Sequence, residues 1–303
     1  MKYLFFFAFY MSLLFGVTCS SCSELKSARQ EAIQLDLRKV EGFSALDTVT
    51  AESWILADSA SGIIIIKKDA DRRMYPASLT KMMTCVLALE KGNMNDTVEI
   101  SEDVYLVKIS RSKPGMKFRM HDLLYEMMLT SDNDAAYAVA KSVGGDTLRF
   151  YDMMNRKARE IGMLHTHYAN PNGMPNDSNY TSASDLLKLT AYAMKKLDFA
   201  RIVSTKEKDV PLIDGSNLEC LNTNRLLWDY EGCKGVKTGY TRASGRCLTA
   251  AAHRDGVTLY LVVLKSNGFD RVFVDASTIL DYGFNVVKAY KKKLKENIKP
   301  EKI

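Results

Sequence analysis

Histidine, paired cysteine and charge of one sign are all scarce in this sequence. Only four histidines occur in 303 residues, and only His165 and His167 stand close together. Alternating residues face opposite sides of a strand, and no acidic residue stands at ligand spacing from the pair, so a catalytic metal is not expected. Six cysteines occur, but the only Cys-x-x-Cys pair is Cys19 and Cys22 at the extreme N-terminus, so the body of the chain lacks a structural zinc spacing. Lys and Arg exceed Asp and Glu by 42 to 36, a net charge of +6. That surplus suits an anionic surface such as cell wall or lipid headgroups. It is too small and dispersed for a nucleic-acid partner, and no zinc-finger or RNA-recognition motif is present. Internal repeats are also lacking, and 47% hydrophobic residues with 26% charged is the composition of an ordinary folded protein.

A membrane-spanning run is missing too. The longest apolar stretch, residues 3–17, follows a single lysine and gives way to small and polar residues. It is shorter than the ~20 residues that cross a bilayer and has the layout of an export signal. Residues 1–22 therefore read as a signal peptide, with an uncleaved anchor as the lesser alternative, and the mature chain is expected outside the cytoplasm: in a periplasm or on the outer face of the cell membrane. Cys19 or Cys22 is the candidate for lipidation by analogy with bacterial lipoproteins, which would supply an N-terminal membrane tether. Neither "GVTC" nor "CSSC" follows the usual Leu-small-small-Cys pattern. Cys220 and Cys233 could bridge in an oxidising compartment, or remain buried thiols like Cys85 and Cys247.

What the chain does contain is a division between β-rich ends and a helical middle. Residues 23–50 are polar and of mixed charge, and read as a linker. "ESWILAD" and "GIIIIKK" flank "SASG" as a hairpin. Residues from about 101 to 200 space apolar side chains three and four apart, with the loop "ANPNGMPNDSNY" interrupting them. Short β patterns return after 205, and a helical pattern runs from about 272 to 293. The expectation is an α+β fold with one antiparallel sheet built from both chain ends, flanked by helices, and a mostly helical lobe inserted between. The folded domain spans 51–290 and a basic tail 291–303.

Three Ser-x-x-Lys matches occur: "SELK" at 23–26, "SLTK" at 78–81 and "SRSK" at 110–113. The first borders the signal segment and the third runs into a Pro-Gly turn. Only Ser78 opens an apolar helix, where residues i and i+3 share a face, so Lys81 can reach the Ser78 hydroxyl. A serine hydroxyl needs a base to become a nucleophile. A lysine of ordinary pKa, ~10.4, is protonated at neutral pH; apolar walls from Met82, Met83, Val86 and Leu87, and a second cation nearby, would lower it. "SDN", residues Ser131, Asp132 and Asn133, lies between two helical patterns, and "KTG", Lys237, Thr238 and Gly239, at the edge of the β-rich segment. Ser-x-x-Lys, Ser-Asp-Asn and Lys-Thr-Gly in this order form the signature of class A β-lactamases and penicillin-binding proteins.

From 52 to 284 the chain resembles the D-alanyl-D-alanine carboxypeptidases of the low-molecular-mass penicillin-binding proteins, peptidase family S11. The matching phrases are "PASLTKMMT", "LLYEMMLTSDNDAAYAVA", "NPNGMP", "LNTNRLL", "GVKTGYTRASG" and "ILDYGF". The resemblance implies a serine β-lactamase/penicillin-binding-protein-like fold. It also implies removal of the terminal D-alanine from peptidoglycan stem pentapeptides, covalent inhibition by β-lactams, and no cofactor or metal. It makes Ser78 the nucleophile, Lys81 its base, Ser131 a proton relay and Asn133 a ligand of the substrate amide. Lys237 would supply the positive charge that keeps Lys81 neutral, and Thr238 would help bind the terminal carboxylate. The Tyr240 amide would join that of Ser78 in the oxyanion hole, and Gly239 would leave room for substrate along the strand. An arginine near the end of the sheet assists the carboxylate in such proteins; Arg271 is the candidate, with Arg242 and Arg246 competing.

The chain departs from this family in two respects. Only about twenty residues follow "DYGF", so the second β-rich domain of larger members is not expected here. The family often has Ser-Ala-Asn or Ser-Gly-Asn where this chain has Ser-Asp-Asn, a shift towards β-lactamases. A class A β-lactamase, however, needs a glutamate to activate its deacylating water. "NPNGMPN" contains none, and Glu160 and Asp177 lack that context. A non-catalytic wall-binding protein of the same fold is the remaining alternative, and the intact Ser78, Lys81, Ser131 and Lys237 argue against it.

Overall fold

The computed structural model describes residues 35–104, 110–268 and 270–297. The expected signal segment, with Cys19 and Cys22, lies outside the described residues. The hairpin appears as strands β1 (Ser53–Asp58) and β2 (Ile64–Lys68). A 3-10 turn at Ala77–Thr80 leads into α1 (Lys81–Lys91). The lobe that follows contains β3 (Thr97–Glu99), β4 (Lys117–Arg119), α2 (Met120–Leu129), α3 (Asn133–Gly144) and α4 (Thr147–Glu160). It continues with α5 (Ala183–Ala193), α6 (Leu197–Ser204), β5 (Glu207–Pro211) and β6 (Asn217–Leu221). A single-turn α7 (Leu226–Asp229) precedes β7 (Cys233–Thr241), β8 (Gly245–Arg254), β9 (Val257–Ser266) and the long α8 (Arg271–Asn297).

The sheet is antiparallel in the order β2-β1-β9-β8-β7, so the first hairpin joins the C-terminal meander, as expected of an α+β chain with strands at both ends. Alternation along the strands divides the interior in two. Ile55 of β1 and Val262 and Leu264 of β9 point into a core shared with α1, α2, α3 and α5. Trp54 and Leu56, with Leu261 and Val263, point to the opposite face, where Val272, Ala276, Ile279 and Leu280 of α8 cover them. Helices therefore lie on both sides of the sheet, and β7 is left as an edge strand beside the 3-10 turn of Ala77–Thr80.

Helix starts in the lobe follow the local chemistry of their first residues. Asp132 caps α3 by accepting from the Ala135 amide at 2.8 Å, Asp146 caps α4 through the Arg149 amide at 2.8 Å, and Ser182 caps α5 through the Asp185 amide at 3.1 Å.

The chain joins the domain earlier than its composition implies. From Leu35 onward the expected linker packs on α8, with 3-10 turns at Leu37–Lys39 and Ser44–Thr48. Tyr282 Oη donates to the Leu37 carbonyl at 2.9 Å and Asn285 Nδ2 to that of Glu41 at 3.2 Å. Backbone carbonyls share this docking with the apolar side chains of Leu35, Leu37, Val40, Phe43 and Leu46, which the polar overall composition of the segment conceals. Helix α8 likewise runs through Asn297, past the expected end near 293. The three-residue strands β3 and β4 are too short for alternation to reveal.

Candidate active site

The Ser78 turn is held in an unusual backbone shape. Ala77 has φ +48°, a left-handed conformation that costs a non-glycine residue ~1–3 kcal/mol. Gly173 backs directly onto it: a Cβ there would sit 1.7 Å from the Ala77 carbonyl oxygen. On the other side Gly239 of β7 approaches so closely that a Cβ would stand 3.0 Å from the Ser78 amide nitrogen. The close passage expected of Gly239 is thus a passage against the Ser78 turn itself.

Lys81, the first residue of α1, is completely buried. Its Nζ lies 3.0 Å from Ser78 Oγ, 2.8 Å from Asn133 Oδ1 and 2.9 Å from the Asn172 carbonyl oxygen. A neutral amine has two N–H donors and one lone pair. As an ammonium Lys81 donates to all three oxygens; once it loses a proton, its two remaining donors serve Asn133 and Asn172 and its lone pair can accept from the Ser78 hydroxyl. Burial lowers the Lys81 pKa to about 7, against the opposing pull of the Asp132 and Asp134 carboxylates. The leading cause is desolvation, as expected from the apolar walls around Lys81, and the charge of Lys237, the other expected cause, is not among the leading ones. Lys237 is also fully buried, and it is pushed well below the ordinary lysine range by burial first and by Lys81 second. Two ammonium groups in one desolvated site repel each other, so the pair accommodates one proton more readily than two.

The structure thus brings Ser78, Lys81 and Asn133 into hydrogen-bond contact and sets Lys237 and Gly239 beside them on β7. Ser131 occupies the turn between α2 and α3, half-buried with φ +66°, immediately before Asp132 and Asn133. Thr238 is half-buried, and its hydroxyl meets that of Thr223 at 2.6 Å. Tyr240 is exposed at the lip of the strand, with the Arg246 guanidinium 4.0 Å from its ring centroid.

Arg271 is occupied elsewhere. Its guanidinium bonds the Thr48 carbonyl and, at 3.2 Å, Asp275 Oδ1. Asp275 is buried and also accepts from Thr50 Oγ1 at 2.7 Å and Ser266 Oγ at 2.6 Å. Arg271 thus belongs to a polar cluster that ties α8 to the chain entering β1, which corrects its expected role as carboxylate ligand. Of its competitors, Arg246 pairs directly with Tyr240 across β7 and β8, whereas Arg242 is exposed at the strand end. We expect Arg271→Ala to cost about 1–2 kcal/mol, read as a lower thermal midpoint, with the Michaelis constant of a D-alanyl-D-alanine peptide unchanged. A raised Michaelis constant at parental stability would restore Arg271 to the site.

Several contributors escape the sequence reading. Asn172, which supplies the second acceptor for Lys81, and Gly173 both lie inside "NPNGMP", and Thr223 inside "LNTNRLL"; these phrases carried the resemblance without any assigned role. "SRSK", set aside as a turn, docks on Asp132: Ser110 Oγ donates to Asp132 Oδ2 at 2.6 Å and the Arg111 amide at 2.8 Å. Only spatial proximity identifies these, since each acts through a backbone group or a partner distant in sequence.

Cys220 and Cys233 are not joined: the Cys220 thiol donates to Glu126 Oε2 at 2.6 Å and that of Cys233 lies near the Gly235 carbonyl. Among the described residues no group of three His, Cys, Asp or Glu side chains could hold a metal ion. His167 Nδ1 meets the Ser178 carbonyl oxygen at 2.6 Å. Glu160 pairs with Lys157 at 2.7 Å, and Asp177 accepts from Tyr75 Oη at 3.1 Å. The loop residue that faces Lys81 offers a carbonyl, not a carboxylate.

Residues 40–268 match the family described as D-alanyl-D-alanine carboxypeptidase, peptidase S11. The D-alanyl-D-alanine carboxypeptidase DacF of Bacillus subtilis is 31% identical over 242 residues, covering 78% of this chain and 62% of that protein. The D-alanyl-D-alanine carboxypeptidase of Streptomyces sp. strain K15 is 32% identical over 256 residues, covering 78% of this chain and 88% of that one. This chain therefore spans less than two thirds of the Bacillus protein and most of the Streptomyces one. The solved structure of the Streptomyces K15 DD-transpeptidase is similar with a TM-score of 0.74 at 33% identity, covering 78% of this chain and 97% of that chain. The carboxypeptidase DacD from Francisella tularensis is similar with a TM-score of 0.71 at 28% identity, covering 77% and 70% respectively.

Proposed function

Because the chain belongs to the peptidase S11 family of D-alanyl-D-alanine carboxypeptidases, we propose that it removes the terminal D-alanine from peptidoglycan stem peptides through an acyl-enzyme on Ser78. The observation that carries this reading is the Lys81 amine, buried at a pKa of about 7 and 3.0 Å from the Ser78 hydroxyl. In the first half-reaction Ser78 Oγ attacks the carbonyl between the two D-alanines while its proton passes to Lys81. The oxyanion develops towards the backbone amides of Ser78 and Tyr240. Ser131 passes a proton to the departing D-alanine amine, and Asn133 binds the amide of the retained peptide. In the second half-reaction water attacks the ester and Ser78 regains its proton.

Lys237 and Thr238 receive the terminal carboxylate. An arriving carboxylate favours the charged form of Lys237, and a charged Lys237 beside Lys81 favours the neutral, basic form of Lys81. Substrate binding thus prepares its own base. A β-lactam uses the same first step, but its leaving amine stays tethered to the acyl group, so the adduct on Ser78 persists.

The β-lactamase alternative is disfavoured because the loop facing Lys81 offers the Asn172 carbonyl where a deacylating carboxylate would be needed. The carboxypeptidase reading further assigns the chain to the exterior of the cell, with an N-terminal tether through Cys19 or Cys22. Among the described residues no helix is long and apolar enough to cross a membrane.

Mass spectrometry of the protein with a diacyl-D-Ala-D-Ala peptide and, separately, with penicillin tests the activity. Released D-alanine and a lasting penicilloyl adduct on Ser78 are expected; rapid penicillin turnover would favour the β-lactamase, and neither event would sink the catalytic reading. The pH profile supplies a further prediction. Only the neutral amine can accept a proton, so the acylation rate should rise through a limb near pH 7 as Lys81 deprotonates. Stopped-flow acylation between pH 5 and 9, flat across this range, would exclude Lys81 as the base.

A further inference from the structure

The middle residue of "SDN" is the one at which this chain departs from the common family pattern, and it is among the most heavily bonded carboxylates in the molecule. Asp132 is 5% exposed. Its Oδ2 accepts from Ser110 Oγ at 2.6 Å, from the Arg111 amide at 2.8 Å and from the Ser112 amide at 3.1 Å, while Oδ1 accepts from the Ala135 amide at 2.8 Å. One oxygen thus gathers a segment twenty residues upstream, and the other caps α3. The next residue, Asn133, is the first of that helix and presents its Oδ1 to Lys81 at 2.8 Å. Ser131, the preceding residue, is held in a left-handed conformation.

We propose that Asp132 is a positioning residue: it fastens the 110–112 loop to the head of α3 and thereby fixes where Ser131 and Asn133 face Ser78 and Lys81. A neutral alanine or glycine side chain at this position could make none of these four bonds, so the loop and the turn would be held by other means. Asp132 also acts through its charge. The groups that face Lys81 are Ser78 from the 3-10 turn, Asn133 and Asp134 from α3, the Asn172 carbonyl from the loop before α5, and Lys237 from β7. Asp132 and Asp134 are the two carboxylates that favour the protonated form of Lys81 against its burial. Around Asp132 itself stand Arg111 and the buried Glu126 of α2, whose Oε1 lies 3.9 Å from the Arg111 Nε. Removing the negative charge at 132 leaves Asp134 as the remaining counter-charge, so Lys81 gives up its proton at lower pH.

This inference rests on the assignment of Ser78 and Lys81 above, and its test separates the two. The rate of penicilloyl adduct formation is measured from pH 5 to 9 for the parent chain, Asp132→Asn and Ser110→Ala. Asp132→Asn keeps an acceptor for the Ala135 amide but has no carboxylate for the loop. It should acylate more slowly, with its acid limb displaced to lower pH. Ser110→Ala keeps the charge and loses one loop contact; acylation should fall ~3-fold with the limb in place. An unmoved limb in Asp132→Asn reduces the residue to a structural peg and overturns its action on Lys81. Parental acylation in Ser110→Ala overturns the coupling through the loop. Absence of any adduct on the parent chain would instead remove the assignment of Ser78, and this inference with it.

Discussion

Ser78→Ala should abolish the penicilloyl adduct and lower D-alanine release by ~10⁴-fold or more while leaving the fold intact. The hydroxyl is the atom that becomes acylated on this reading, and no neighbouring side chain can take its place. Asn133 and Asn172 offer Lys81 only oxygen acceptors, Thr80, two residues along the chain, is fully buried, and among the bonds described Ser78 is the one hydroxyl that Lys81 meets. The structural consequence is small, because Ser78 Oγ is half-buried and engages Lys81 alone among the bonds described. A change within ~1 kcal/mol is expected. Intact-mass spectra, a D-alanine release assay and a thermal melt read the three quantities. Retained release in a stably folded Ser78→Ala protein would mean that another group carries the acyl chain, or that none does.

The second large effect is expected at a residue that touches no substrate. Gly173 has φ +86°, and its would-be Cβ meets the Ala77 carbonyl oxygen at 1.7 Å and the Ser78 amide nitrogen at 2.9 Å. Both neighbours are backbone, so nothing flexible can give way. Gly173→Ala must displace either the 170–174 loop, which carries the Asn172 acceptor, or the turn that aims Ser78. We expect a stability loss of about 2–4 kcal/mol and an acylation rate lower by ~10²-fold or more, because misplacing a reacting group by even ~1 Å is that costly. Gly62→Ala is the control. Its φ is +72° but no atom lies within 4 Å of the added carbon, so only the backbone strain of ~1 kcal/mol remains and acylation should be unaffected. Equal behaviour of the two variants in denaturant titration and adduct formation would refute the proposed contact.

How much of this was legible beforehand differed from feature to feature. The apolar runs "ESWILAD" and "GIIIIKK" around the turn "SASG", with the short β patterns after 205, reveal a sheet from both chain ends, because a strand buried on two faces needs apolar residues at successive positions. Ser78 and Lys81 were legible because three residues on a helical turn bring two side chains together without help from the rest of the chain. The 110–112 loop was not. Its bonds to Asp132 use the Arg111 and Ser112 amides, which every sequence contains, and a side-chain acceptor twenty residues away. Arg271 was misjudged for the opposite reason: a cation near the sheet end reads as a carboxylate ligand until Asp275, one helical turn on, is seen to occupy it.

The local order of "SLTK", "SDN" and "KTG" along the chain was enough to point to the family to which the chain belongs, since each motif needs only its own short element to be intact. The tertiary structure decided how these motifs operate together. Packing buries Lys81 completely, so that desolvation outweighs the pull of Asp132 and Asp134 and lowers its pKa. It also brings the Asn172 carbonyl to the amine and presses Gly173 and Gly239 against the Ser78 turn. Desolvation and backbone contact depend on what the whole chain excludes from a site, and no spacing of residues along it encodes that directly.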